Sequence, residues 1–66
     1  MKLLLNGETR EFPAPLTVTA LLAAIGLAER RVAVEVNQAI VPRGRHATQA
    51  LAEGDRVEII QAIGGG

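Results

Sequence analysis

The first residues of the chain form a short apolar run that breaks at a turn dipeptide. Met1 to Leu5 is apolar except for one lysine, and it is followed by Asn6-Gly7. This dipeptide tolerates the positive φ angles of a type I′ turn, which joins antiparallel strands through two residues. Thr9 to Phe12 continues on the other side of the turn. The pattern predicts an N-terminal β-hairpin.

After the hairpin, the spacing of the apolar residues changes from that of a strand to that of a helix. The apolar residues that repeat at the spacing of one helical face are Val18, Leu21, Leu22 and Ile25. Thr17 stands where an N-cap belongs, and Gly26 follows where a left-handed C-cap favours a residue without Cβ. Ala20 replaces the acidic residue of a full capping box. We predict a short amphipathic helix over residues 18 to 25.

The second half of the chain returns to strand patterns. Arg31 to Val36 alternates strictly between valine and other residues, which is typical of a half-buried strand. Ile40-Val41 is a shorter strand candidate, and Arg56 to Gln61 is the last. From Gly44 to Ala52, between these two strands, the apolar residues follow neither helical nor strand spacing. We predict irregular structure there, with one turn of helix around Thr48 to Leu51.

The element order is therefore strand, strand, helix, strand, short strand, strand. One helix with one apolar stripe is buried by packing on one face of one sheet, which predicts a two-layer α+β fold. We expect a mixed sheet of four to five strands in a single domain over residues 1–66. Because Phe12 is the only aromatic residue, the core must be largely aliphatic.

Composition excludes several classes of function. Seven basic and seven acidic residues give a net charge of zero, which argues against binding to nucleic acid or to an anionic membrane. Cysteine is absent, so the chain carries no thiolate and no disulfide. We find no paired carboxylates, nucleophile with base, phosphate loop or metal-ligand spacing, and therefore predict no metal, no catalytic residue and no enzymatic activity of its own. A cytoplasmic protein is the default expectation, since no apolar segment could span a bilayer.

His46 and the two arginines beside it are the remaining polar candidates. A lone histidine without nearby Cys, Asp or Glu is usually a surface residue, so we predict that position for His46 and assign it no role. Arg43 and Arg45 could steer an acidic partner, although solvated loop charges are the simpler interpretation.

The chain ends in Gly64, Gly65 and Gly66, and glycine costs more entropy to order than any other residue. Alone, such a run is typical of a disordered end. After a last strand, however, Ala62 to Gly66 would form an extended, flexible C-terminal tail reaching about 17 Å. Such a tail could carry its terminal carboxylate into the active site of a partner. There the carboxylate could be activated as an adenylate and converted to a thiocarboxylate.

Several segments, taken in order, match one known family. They are the N-G turn at Asn6, the TV-x-x-LL pattern from Thr17 to Leu22, the V-N-x-x-I-V-P-R block from Val36 to Arg43, the G-D turn at Gly54 and the terminal Gly-Gly. In these segments, which cover essentially the whole chain, the sequence resembles the ThiS family of thiamine-pathway sulfur carriers. The resemblance implies a ubiquitin-like β-grasp fold, with Gly66 as the residue that is adenylated and thiocarboxylated.

The same resemblance implies partners rather than a bound cofactor. A ubiquitin-activating-type, ThiF-like enzyme would adenylate the carboxylate with ATP, a donor such as a cysteine desulfurase would supply sulfur, and a ThiG-like thiazole synthase would receive it. Alternation places Leu4 and Ile60 on the outer face of the sheet. If the first and last strands are neighbours, these two residues form a small apolar patch, and with Ile63 they are our candidates for the partner interface.

Three alternatives remain open. A MoaD-type carrier would deliver sulfur to molybdopterin, although such chains usually carry a proline-containing stretch before Gly-Gly, where this chain has Gln61-Ala62-Ile63-Gly64. A non-catalytic β-grasp interaction module would bind through its sheet and leave the tail inert. A protein modifier would be joined to lysines through Gly66. The chemical fate of the tail separates them.

Overall fold

The computed structural model describes residues 1–61, and residues 62–66 lie outside the described part. One helix, α1, covers Val18–Ala24. The five strands are β1 (Lys2–Leu5), β2 (Glu8–Glu11), β3 (Val32–Val36), β4 (Ala39–Val41) and β5 (Arg56–Gln61). The element order predicted from the sequence is confirmed.

The five strands form one mixed sheet in the order β2-β1-β5-β3-β4. The first and last strands of the chain lie side by side and run parallel, while the other neighbouring pairs are antiparallel. The last strand, β5, is therefore the central strand of the sheet. The predicted α+β fold, with a mixed sheet and one main helix, is confirmed.

The core is aliphatic except for one phenylalanine, as its composition predicts. The side chains that are almost completely buried are Leu3, Leu21, Val18, Val34 and Val57. They come from the helix and from the inner faces of β1, β3 and β5, so the helix closes one face of the sheet. The other buried apolar side chains are Leu5, Phe12, Leu16, Leu22, Val36, Val41, Leu51 and Ile59.

Both ends of α1 are stabilised as the sequence predicts. The Oγ1 atom of Thr17 accepts a hydrogen bond from the backbone N–H of Ala20 at 3.1 Å, which satisfies one free donor of the first turn. At the other end Gly26 has a φ of +83°. The N–H of Leu27 bonds the carbonyl of Leu22 at 2.8 Å, which closes a Schellman-type C-cap.

Asn6 forms the predicted turn and also reaches the central strand. Its φ is 48° and that of Gly7 is 84°, and Leu5 pairs with Glu8, as in a two-residue type I′ hairpin. The Oδ1 atom of Asn6 accepts from the backbone N–H of Ile59 at 2.7 Å, and its Nδ2 atom donates to the Ile59 carbonyl at 3.3 Å. The side-chain amide of Asn6 thus makes both hydrogen bonds that a backbone peptide group of a neighbouring strand would make to β5.

We expect Asn6→Ala to lower the free energy of unfolding by about 2–3 kcal/mol. The change leaves the partly buried N–H of Ile59 without its partner and forces a Cβ-bearing residue that lacks a polar side chain into the left-handed region. Asn6→Gly removes the same bonds but tolerates the backbone, so it should lose less stability. Urea unfolding of both variants measures the difference. Equal stability of Asn6→Gly and the wild type would show that the side-chain bonds contribute nothing.

A second asparagine, Asn37, bonds the beginning of β5. Asn37 has a φ of 51°, and its backbone N–H bonds the Arg56 carbonyl at 2.7 Å. Its Oδ1 atom accepts from the Arg56 N–H at 2.9 Å, while its Nδ2 atom donates to the Asp55 carboxylate at 2.9 Å. The beginning of β5 is therefore fixed by side-chain as well as by strand hydrogen bonds.

The segment between β4 and β5 differs from its prediction. A short 3₁₀ helix lies at Arg43–Arg45, earlier than expected. The predicted helical turn around Thr48 to Leu51 is wrong. Ala50 instead forms an antiparallel bridge with Thr17, and the N–H of Leu51 bonds the Leu16 carbonyl at 2.8 Å. These contacts join Ala50 and Leu51 to the residues that precede α1, in place of a helical turn.

Candidate functional site

The predicted reactive segment begins where β5 ends. Gln61 is the last residue of β5 and the last described residue. The predicted tail residues Ile63, Gly64, Gly65 and Gly66 lie outside the described residues. The structure therefore describes the chain up to the base of this segment, the end of β5 at Gln61.

That base is fixed on both sides. Towards β3, β5 pairs over five positions, from Val36↔Val57 to Val32↔Gln61. Towards β1, the pairing covers only the first two residues of β5, and beyond them the Asn6 side chain bonds Ile59. At Ile60 and Gln61 the described end of β5 is thus held by its pairing with β3.

An open groove of about 420 Å³ lies beside this end of β5. Its floor is mainly apolar, and two arginines line it. The lining residues are Arg31, Val32, Ala33, Arg43, Ile60 and Gln61. Gln61, the last described residue, is part of this lining.

The arginines of the groove have no hydrogen-bonded partner in the part of the chain that the structure describes. Within residues 1–61, no arginine side chain donates any of the side-chain hydrogen bonds. The guanidinium groups of Arg31 and Arg43 are therefore able to bind an acidic group of another molecule.

His46 is buried, so its predicted surface position is wrong. Its side chain is only 9% exposed. Its Nε2 atom lies 3.0 Å from the Val41 carbonyl, and because a carbonyl only accepts, Nε2 carries the hydrogen. The backbone carbonyl of His46 also accepts from the Thr19 N–H at 3.0 Å. The residue joins the 3₁₀ segment to β4 and α1, and the sequence shows no partner that would have predicted this.

Leu4 and Ile60 both lie on the outer face of the sheet, but the structure does not bring them together. Leu4 is half-buried and pairs with Arg56, whereas Ile60 is 60% exposed and pairs with Ala33. At about 3.3 Å per residue, four residues of β5 separate the two levels by about 13 Å. They line different depressions of the surface. The expected single apolar patch is therefore divided in two.

Two features of the outer face were missed by sequence reasoning. Ile40, in β4, is 65% exposed. Glu35 pairs directly with both Ile40 and Glu58, so two carboxylates stand opposite each other on adjacent strands. Alternation alone assigns all three side chains to the outer face, but only the register between strands shows that they are neighbours.

Among residues 1–61, no three or more His, Asp and Glu side chains are grouped so that they could hold a metal ion. The described helix is neither long nor apolar enough to cross a membrane.

Comparison with known proteins gives one family. The model of the ThiS family matches residues 3–66. The sulfur carrier protein ThiS of Escherichia coli is 33% identical over 66 residues, which cover the whole of both chains. The crystal structure of the thiamine biosynthesis protein ThiS from Geobacter metallireducens matches with a TM-score of 0.84 and 33% identity, again over both whole chains.

A longer relative contains a similar segment. The thiazole synthase of Paramagnetospirillum magneticum is 52% identical over 66 residues. The match covers 100% of this chain but 20% of that protein. The chain therefore spans about a fifth of the length of the thiazole synthases that it matches.

Proposed function

The chain belongs to the ThiS family, and from this premise we propose that it is a sulfur carrier of thiamine biosynthesis whose cargo is held at Gly66. The full-length similarity to a ThiS sulfur carrier, 33% identical over both chains, is the observation that carries the proposal. The chain is then a co-substrate of other enzymes and needs no active site of its own.

The proposed chemistry takes place at a terminal carboxylate in two steps. A carboxylate oxygen of Gly66 attacks the α-phosphate of ATP on a partner enzyme, which forms an acyl-adenylate and releases pyrophosphate. Hydrosulfide can then attack the acyl carbon and displace AMP, which leaves a thiocarboxylate. When the donor is a protein persulfide, the same attack gives an acyl disulfide, and a thiol must then cleave its S–S bond, which leaves the thiocarboxylate and a new disulfide. Glycine suits this position because its acyl carbon has no Cβ beside it to hinder the nucleophile. Activation followed by transfer divides one difficult step into two easier ones.

The fold supports this role by providing a rigid base for the reactive segment. β5 is central in the sheet, Asn37 bonds its backbone at its first residue, Arg56, and Asn6 bonds it further along, at Ile59. A partner that binds the folded domain therefore meets Gln61, the residue before the proposed tail, at a defined point. This arrangement reduces the orientational freedom that the partner must remove before reaction.

We propose three partners. A thiazole synthase receives the sulfur, which fits the similarity to segments of two thiazole synthases. A ThiF-like, ubiquitin-activating-type enzyme adenylates Gly66 and uses the ATP, and a donor such as a cysteine desulfurase supplies the sulfur. Because the reaction consumes ATP, we assign it to the cytoplasm.

The proposed partner interface contains Leu4, Ile60 and Ile63. We expect Ile60→Asp to lower kcat/KM for adenylation about tenfold or more, because it places a charge on the exposed apolar surface beside the exit of β5. Leu4→Asp makes the same kind of change at the other depression of the surface and is measured in the same way. Circular dichroism controls for folding, and pyrophosphate release measures the reaction. If Ile60→Asp folds and reacts at the wild-type rate, Ile60 is not part of the interface.

The test of the proposed function is the intact mass of the protein after incubation with ATP, a sulfur source and the adenylating enzyme. Replacement of one terminal oxygen by sulfur adds about 16 Da. Absence of this gain, with an enzyme that is active on another carrier, would contradict the proposal and favour an interaction module with an inert tail.

A further inference from the structure

The side chain of Asn6 can react with the backbone of the residue that follows it. The backbone nitrogen after an asparagine can attack the side-chain Cγ atom and close a five-membered succinimide ring. A following glycine hinders this attack least, because it has no Cβ and the freest backbone. The chain has two asparagines, Asn6 and Asn37, which are followed by Gly7 and Gln38. Asn6 is therefore the asparagine that the sequence exposes to this reaction.

The hairpin turn holds Asn6 in a geometry that prevents ring closure. The φ angles of Asn6 and Gly7 are 48° and 84°. Together with the pairing of Leu5 and Glu8, they define a type I′ turn. In that turn the ψ of the first central residue is about 30°, which directs the next nitrogen almost opposite to Cβ. The ring requires both atoms on the same side of the Cα–C bond, so the turn must open before Asn6 reacts.

The side chain of Asn6 is held as well, by a strand that is distant in the sequence. Its Oδ1 atom accepts from the Ile59 N–H at 2.7 Å, and its Nδ2 atom donates to the Ile59 carbonyl at 3.3 Å. The backbone N–H of Asn6 bonds the Val57 carbonyl at 2.9 Å. Since ring closure moves Cγ towards Gly7 and expels Nδ2, the bonds to Ile59 must break first. β5 thus protects Asn6 in the folded domain.

We propose that Asn6 is a covalent modification site, a deamidation site that reacts only when β5 releases it. The Gly7 nitrogen loses its proton to solvent and attacks Cγ. The bond from Cγ to Nδ2 then breaks, and Nδ2 takes up a proton and leaves as ammonia. Water adds to either carbonyl of the succinimide and opens the ring, which leaves aspartate or isoaspartate. The reaction consumes water, releases ammonia and involves no oxidant or reductant.

Either product disturbs the bonds that hold β5. Aspartate keeps an acceptor for the Ile59 N–H, but it has no donor. Its second carboxylate oxygen would therefore face the Ile59 carbonyl, which is also an acceptor. Isoaspartate adds a backbone atom to the turn and shortens the side chain. A domain that stays open long enough to react therefore folds back to a less stable state, and the change is permanent.

The test compares the whole protein with and without guanidinium chloride at mildly alkaline pH. Trypsin releases Asn6 and Asn37 on separate peptides, because arginines lie between them. Mass spectrometry then measures the replacement of the side-chain NH₂ by OH in each peptide. A sample digested at zero time corrects for reaction during digestion.

We expect Asn6 to be reactive in the denaturant and protected without it. In the denaturant it should convert about tenfold faster than Asn37, because glycine follows it. Without denaturant its conversion should be about a hundredfold slower or more, because it waits for the domain to open. Equal rates of Asn6 with and without denaturant would overturn the proposal, and so would equal rates of the two asparagines in the denaturant.

Gln38→Gly supplies the matched variant. Gln38 has a φ of 72°, so glycine fits there without strain. Asn37 is also bonded to β5, since its Oδ1 atom accepts from the Arg56 N–H at 2.9 Å. In this variant Asn37 should become as reactive as Asn6 in the denaturant and stay protected without it. Slow conversion of Asn37 in the denatured variant would show that a following glycine does not decide reactivity, which would contradict the proposal.

Asn6→Asp tests the consequence of the modification. We expect it to lower the melting temperature by about 4–8 °C, because a donor to Ile59 is lost and an acceptor takes its place. An unchanged melting temperature would overturn the inferred loss of stability. None of these measurements involves a partner enzyme, so they can fail while the proposed function stands, and the reverse also holds.

Discussion

Deletion of Gly65 and Gly66 should abolish the gain of about 16 Da completely and leave the fold intact. The shortened chain would end at Gly64, whose carboxylate falls about 7 Å short of the position that Gly66 reaches in an extended segment. A misplacement of that size removes the reacting carboxylate from the adenylating site. Intact mass after incubation with ATP, sulfur source and enzyme measures the result.

The melting temperature is the control for this deletion. Every buried apolar side chain of the described core lies between Leu3 and Ile59, so the loss of two terminal glycines should change the melting temperature by less than 1 °C. Normal thiocarboxylation of the deleted chain would exclude Gly66 as the modified residue. Loss of the mass gain together with unfolding would leave the experiment to be repeated with Gly66 alone removed.

Leu21→Ala should give the largest loss of stability, about 3–5 kcal/mol. Leu21 is completely buried between helix and sheet, and truncation removes its apolar contacts and leaves a cavity. The total free energy of unfolding of a chain of this size is only about 3–10 kcal/mol. A large fraction of the variant would therefore be unfolded at 25 °C. Urea unfolding followed by circular dichroism measures the change.

Ile40→Ala is the matched control for Leu21→Ala. It removes an aliphatic side chain of the same size, but from a position that is 65% exposed, and should cost less than about 0.5 kcal/mol. Similar losses for the two variants would contradict the assignment of the core to the inner face of the sheet.

Local rules explain why so much of this fold follows from its sequence. Asn6-Gly7 selects a two-residue hairpin because both positions tolerate positive φ. Thr17 and Gly26 mark the ends of α1 because each satisfies backbone groups that the helix leaves free. In these places the neighbouring residues alone determine the structure.

The parts that were missed depend on contacts between distant segments. Buried His46 contacts Val41 in β4 through its side chain and Thr19 in α1 through its backbone carbonyl, and no spacing in the sequence encodes these contacts. The opposition of Glu35 and Glu58 depends on the register of β3 against β5. The separation of Leu4 from Ile60 depends in the same way on how far β1 extends along β5.

The reactive segment itself was predicted from composition and resemblance alone. Its residues lie beyond Gln61, outside the described part of the chain. The structure describes the end of β5 that precedes them and the surface beside it. The arginines of the groove and the carboxylate pair on the outer face are the additions that the structure makes.

The central position of β5 has a mechanical consequence. A force applied at the carboxyl end of β5 acts along the strand, whereas its ladder hydrogen bonds to β3 lie across it. The load is therefore shared by many bonds in shear, including those from Asn6 and Asn37, and they cannot open one at a time. An edge strand pulled sideways would instead peel away bond by bond. The domain should consequently withstand repeated withdrawal of its last residues from a tight channel, and it should be slow to unravel when an unfolding motor pulls from that side.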